Sequence, residues 1–320
     1  MSKLVDLVKR YNTQLGLTFI ALMVLVLFMI TAPGTFLKGR IYTSFLSTTP
    51  FIGIAGLGLT LVLVSGEIDL SFTAVMAFAG YVFAVTMGFT GSIILGILAG
   101  MAAGAMVGML NGMLVTLIGI PSIVVTLGMQ FLIRGATNII AAGKATTLTQ
   151  IAGTPIYNLL VGEIGGTIPA QSIWFLVLAI LVWSLLFRHK FGDHILFSGD
   201  NPETAEMMGI SVTKTKILVF MLFGVLAAFA GILDSFRLRT WWPTMGQGYL
   251  MTTMAAVFVG GTSMFGGEGT IYGTFLGAFL IGSLEAGIVA AGLSGFWTRF
   301  IYGILILIAV TVHTILRRSS

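Results

Sequence analysis

The chain has 320 residues, 57% of them hydrophobic and only 8% charged, with a mean hydropathy of +1.05. A soluble globular domain carries about 25% charged residues, so this composition excludes one. The absence of cysteine excludes a disulfide framework and thiolate chemistry, and a net charge of +5, sited mostly beside apolar runs, does not point to nucleic acid.

Several nearly uncharged stretches reach the roughly 18–20 residues that a helix needs to cross a hydrocarbon core of about 30 Å. The alternating ten-residue segments of a membrane β-barrel are missing. The sequence therefore predicts an all-α polytopic membrane protein, a single transmembrane domain over 1–320. In chain order the apolar runs predict ten spans: 16–31, 46–65, 70–87, 92–117, 122–142, 172–187, 215–233, 249–259, 272–291 and 296–315. Lys3, Lys9 and Arg10 precede the first run without a convincing small-residue cleavage site after it, so that run reads as a retained span. The eighth is about 16 Å long as a helix, which predicts an extension or a break at membrane depth.

Ten spans put both termini on one side, and Lys3, Lys9, Arg10, Arg317 and Arg318 predict that this side is cytoplasmic. Spans two to five and seven to ten then form two groups of opposite direction, a possible inverted repeat. The longest outward connection, 143–171, is polar and rich in Gly and Thr. It reads either as a cap toward a soluble partner or as a plain surface loop.

Span four carries Gly96, Gly100, Gly104, Gly108 and Gly112 at a spacing of four, a stripe along one helix face. Small residues there let a second backbone approach closely. Packing within one subunit is the simpler use, and a subunit interface or pathway wall the alternative. Asn111 reads as a helix–helix hydrogen bond. A second glycine cluster at 260–277 lacks the G-K-[ST] and the preceding strand of a phosphate loop, and close helix packing again explains it.

Acids at membrane depth are costly and usually functional. Glu67, Asp69 and Ser71 lie in the short linker VSGEIDLS, where Asp69 or Ser71 can cap the third span or line a polar path. Glu285 lies inside span nine and is expected to face a helix partner or a watery cavity. Asp234 and Arg237 follow span seven and can pair at i, i+3. Arg134 is expected to snorkel outward, and Trp241, Trp242 and Trp297 to join the interfacial aromatic belt. The string GLSG at 292–295 has the form of an intramembrane serine protease motif. However, the only later histidine, His313, is almost a helix length away. No metal site, cofactor or Walker motif is expected, so any ATPase must be another chain.

The segment 188–216, RHKFGDHILFSGDNPETAEMMGISVTKTK, concentrates eight charged residues and two of the three histidines between apolar runs. The topology makes it cytoplasmic, and docking to a soluble partner is the obvious reason for it. Asp200 or Asn201 is a natural N-cap, Pro202 suits the first helical turn, and Glu203 and Glu206 favour the positive helix start. Ala205, Met208 and Gly209 offer a small apolar face, and Gly209 can end the helix. The basic ends, Arg188–Lys190 and Lys214–Lys216, read as membrane-face anchors.

Three stretches in order, SGEIDLSFTAVMAFAG (65–80), FGDHILFSGDNPETAEMMGISVTKTK (191–216) and GQGYLMTTMAAVFVGGTSMFGGEGTIYGTFLGAFLIG (246–282), resemble the membrane permease subunit of ribose-type ATP-binding-cassette importers for monosaccharides. Glu67 departs from the pattern, standing where a glycine often precedes I-D-L-S. The resemblance implies a bacterial inner-membrane assembly of two permeases, two cytoplasmic ATPases and an external sugar-binding protein, embedded in lipid. The ATPase would dock on 201–210, which makes Asp200, Asn201, Pro202, Glu203, Ala205, Met208, Gly209 and Ile210 the expected coupling residues. A related permease for a nucleoside, a branched-chain amino acid or a sugar-like signal is the nearest alternative, and an ion-coupled carrier a more distant one.

Overall fold

A computed structural model describes residues 12–294 and 296–319. Lys3, Lys9, Arg10 and Gly295 lie outside the described residues. The described residues form fourteen helices: α1 (Asn12–Thr31), α2 (Pro33–Phe36), α3 (Gly39–Val64), α4 (Phe72–Thr90), α5 (Ile93–Thr116), α6 (Ser122–Ile140), α7 (Pro155–Val161), α8 (Ala170–Arg188), α9 (Lys190–Asp200), α10 (Pro202–Met207), α11 (Val212–Leu238), α12 (Tyr249–Val259), α13 (Ile271–Ala290) and α14 (Phe296–Ser319). Seven of them, α3, α4, α5, α6, α8, α11 and α13, are long and apolar enough to cross a membrane. Shorter apolar helices lie in α1, α12 and α14. All ten coincide with predicted runs. Among the described residues there are also four two-residue strands: β1 (Thr146–Thr147), β2 (Glu163–Ile164), β3 (Ile168–Pro169) and β4 (Thr240–Trp241). β1 pairs antiparallel with β4, and β2 with β3.

The central element is α3. Every residue from Thr49 to Val64 is buried, glycines included. Gly53 lies under the ring of Phe175 on α8, and Gly58 under Phe223 on α11. Packing of this kind replaces the hydrophobic effect as the force between helices in lipid.

Around α3 the neighbours repeat. α3 packs on α11. α11 packs on α4 and α5, as α3 packs on α12 and α13. α4 packs on α5 and α6, as α12 packs on α13 and α14. Exchanging α3–α6 for α11–α14 leaves this scheme unchanged, the arrangement that a repeat of spans two to five and seven to ten requires.

The structure corrects several expectations. α4 starts at Phe72, not at 70, and α11 runs from Val212 to Leu238, so Asp234 and Arg237 lie inside the helix instead of after it. Arg134 does not snorkel. Its guanidinium turns into the protein, donating from Nη1 to the carbonyls of Pro243 (2.8 Å) and Met245 (2.9 Å) and from Nη2 to that of Thr73 (2.7 Å). The non-helical backbone at 242–245 leaves free carbonyls there, and the half-buried Arg134 guanidinium satisfies two of them. Trp241 is no belt residue either: it is fully buried and its Nε1 donates to Ala77 O at 2.8 Å. The connection 143–171 is folded, with a 3-10 turn (Thr149–Ile151), α7 and the β2–β3 hairpin, and β1 ties it to β4.

Candidate functional site

The polar island after α8 is helical nearly throughout. Arg188 ends α8 with its guanidinium 5.5 Å from the Trp183 ring. His189 Nδ1 accepts from Phe191 N at 3.1 Å and opens α9. Asn201 then caps α10, its Oδ1 accepting from Thr204 N at 3.0 Å, with Pro202 at the first helical position. Gly209 turns the chain at φ +83°, a conformation that favours glycine. Asp200, Asn201, Pro202, Glu203, Met208 and Gly209 are exposed. Ala205 is not part of the expected outward face. It is buried at 1% exposure and clusters with Ile210 and Val212, fastening α10 to the start of α11. The outward apolar surface is instead Met207 and Met208, 86% and 60% exposed beside Glu203 and Glu206. Met207 was not singled out from sequence, although the Met-Met pair at the end of a capped helix is visible there.

At its other end α9 is wedged into the helix bundle. Gly199 lies against the Val64 carbonyl and the backbone of Gly267, and Gly266 approaches both Gly199 and Gly66. Gly267 N donates to Val64 O at 2.9 Å. Four glycines thus let the end of α9, the linker after α3 and the segment between α12 and α13 meet backbone to backbone.

The linker after α3 carries three of the sequence-selected residues. Glu67 pairs with Lys216 at 2.6 Å. Asp69, 3% exposed, accepts at Oδ1 from Ser71 N (2.6 Å) and Ser71 Oγ (2.7 Å), and at Oδ2 from Asn111 Nδ2 (3.1 Å). Burial pushes the Asp69 carboxyl up, while the hydrogen bonds from Ser71 and Asn111 pull it down. Ser122 Oγ accepts from Ile68 N at 3.1 Å. The geometry is that of a helix start held by a buried carboxylate.

Glu285 is placed differently. It lines a cavity of about 630 Å³ between α3, α12, α13 and the end of α11, together with Ser44, Thr48, Thr49, Arg237 and Tyr249. A neighbouring cavity of about 530 Å³ shares Ser44, Thr48 and Arg237 and reaches Tyr157, Glu163 and Gln171 of the folded connection 143–171. The structure therefore separates the pathway candidates: Glu285 faces open space, whereas Asp69 and Ser71 hold each other and Asn111.

The glycine stripe of α5 faces inward. Gly96 lies on Phe83 and Met87 of α4, Gly100 on Ala79 of α4 and Ile232 of α11. Gly104, Gly108 and Gly112 lie on Gly224, Phe220 and Ile217 of α11.

The profile of the family described as "Branched-chain amino acid transport system / permease component" matches residues 41–310, from early α3 to α14. The chain belongs to this permease family. It is 32% identical over 310 residues to the ribose import permease protein RbsC of Escherichia coli strain K12, covering 95% of this chain and 96% of that one. It is likewise 32% identical over 315 residues to the fructose import permease protein FrcC of Rhizobium meliloti, covering 94% and 86% of the two chains. The L-arabinose ABC transporter permease protein AraH of Azospirillum brasilense is 31% identical over 296 residues, covering 92% and 86%. No solved structure matches the permease. The match takes in α4 to α13 entire and α3 from its third residue, so the segment 188–216, the linker after α3 and most of the cavity wall lie within the family region.

Proposed function

We propose that this permease imports a monosaccharide across the bacterial inner membrane, driven by a separate cytoplasmic ATPase that docks on α10. A second permease completes the pathway and an external binding protein delivers the sugar to the outer connection 143–171. Both termini are cytoplasmic. The observation that carries the docking is α10 itself: a capped, water-facing helix with two exposed methionines and two glutamates, inserted between apolar helices. Flexible methionines suit an adaptable protein contact. The sugar class rests on relatives named for ribose, fructose and L-arabinose. Glu67 tunes the linker through Lys216 at the foot of α11.

The test is co-purification of the tagged permease with its ATPase. Glu203→Arg and Gly209→Val are expected to abolish co-purification while membrane insertion stays normal. The first reverses charge on the docking face, and the second strains a left-handed turn. Undiminished co-purification of both variants contradicts docking at 201–210.

A further inference from the structure

We propose that Arg237 is a solute-contact residue, the fixed donor of a subsite for a neutral polyhydroxylated solute in the outer cavity. The proposal rests on the sugar-import reading above and adds to it the site of contact and the residues that hold it.

Arg237 is held by Asp234, itself fixed by Tyr249, and by the Phe51 ring. Its Nη2 and Nε donate to Asp234 Oδ1 at 3.2 and 3.4 Å. Tyr249 Oη donates to Asp234 Oδ2 at 3.0 Å, so both carboxylate oxygens of this buried acid are engaged and its orientation is set. The guanidinium also lies 5.2 Å from the centroid of the Phe51 ring. Asp234 occupies the Nε and Nη2 edge. Nη1 has no hydrogen-bond partner among the described residues, and Arg237 lines both outer cavities.

The cavity wall is built of complementary groups. Ser44 and Thr48 are exposed hydroxyls shared by the two cavities. Thr49 also lines the larger cavity. It is 1% exposed and its Oγ1 has no hydrogen-bond partner, an unfilled polar group at the wall of an open space. Glu285 supplies an acceptor in the same cavity. A planar donor held rigid, an acceptor and hydroxyls that serve as either match a solute whose hydroxyl groups both donate and accept. Arg237 and Glu285 bring opposite charges to the cavity, which favours a neutral solute over an ion.

The natural absence of cysteine permits a direct test. Thr48→Cys is placed in the permease, assembled in membranes with its ATPase and binding protein, and its reaction rate with a small negatively charged thiosulfonate is measured with and without D-ribose. Ribose is expected to slow the reaction. In Thr48→Cys/Arg237→Gln the thiol still reacts but protection is expected to need about tenfold more ribose, the loss typical of a hydrogen bond to a charged group. Asp234→Asn, which frees Arg237 without removing it, is expected to fall between. Equal protection with and without Arg237 overturns the subsite. So does a Thr48→Cys that ribose never protects, or that never reacts, in an assembly that imports ribose. Wild-type assemblies that import neither ribose, fructose nor arabinose overturn the sugar reading itself and remove the subsite with it.

Discussion

Arg134 shows how much a single side chain holds in this fold. It places a full charge at the junction of α6, the start of α4 and the unwound segment before α12, with only backbone carbonyls as partners. Replacing it by methionine keeps the stem and removes all three bonds, leaving acceptors stranded. The expected loss is roughly 3 kcal/mol or more, read as a lower unfolding midpoint in detergent. Lysine, a point charge without the planar fork, is expected to recover only part. Wild-type stability in the methionine variant contradicts this role. The sequence identified Arg134 as a charge in an apolar run but could not say which way it turned. That depends on Pro243 and Met245, more than a hundred residues away. Trp241 failed for the same reason, since its buried partner Ala77 belongs to another helix. Asn111 was readable in kind, as a hydrogen bond between helices, but its partners Asp69 and Ser71 lie in a linker.

Helices are held here mainly by the closeness that glycine permits. A β-carbon at Gly108 would overlap the Phe220 carbonyl, whereas one at Gly128 on α6 meets nothing within contact distance. Gly108→Ala is therefore expected to destabilise by about 1–3 kcal/mol through overpacking. Gly128→Ala is expected to be neutral or stabilising by up to about 1 kcal/mol through helix propensity. Thermal unfolding of the two variants side by side checks this, and equal shifts contradict it. The apolar runs and the stripe at 96–112 were legible because hydropathy and spacing are local. Less legible were the ends. α4 starts two residues late because Asp69 takes the Ser71 N–H before the helix begins, and α11 continues past 233 because Asp234 and Arg237 neutralise one another within it. The α10 helix was readable from Asn201, Pro202 and Gly209, but the burial of Ala205 was not, since it depends on Ile210 folding back.

At the scale of the molecule, the repeated neighbour scheme places α3 and α11 back to back at the centre, and the polar segment 188–216 touches this centre through Gly199. In the docking proposed above, movement of α10 would be delivered through α9 to the linker after α3 and to the segment before α13. Packed elements of this type shift between discrete arrangements and do not deform continuously. A β-carbon at Gly199 would overlap the Val64 carbonyl, so Gly199→Ala is expected to lower solute import by about tenfold or more while the ATPase still co-purifies. Normal import by that variant contradicts a rigid link. The possible repeat followed from counting spans, but the glycine junction joins three segments distant in sequence and no local pattern announces it.

The central claim is that this permease moves a sugar only when a separate ATPase drives it. The most direct measurement is accumulation of labelled D-ribose in vesicles holding the permease, its ATPase and its binding protein, with the ATPase supplied either with ATP or with a non-hydrolysable ATP analogue, which disables it. Accumulation that stops with the disabled ATPase is the predicted result. Accumulation that persists contradicts the account.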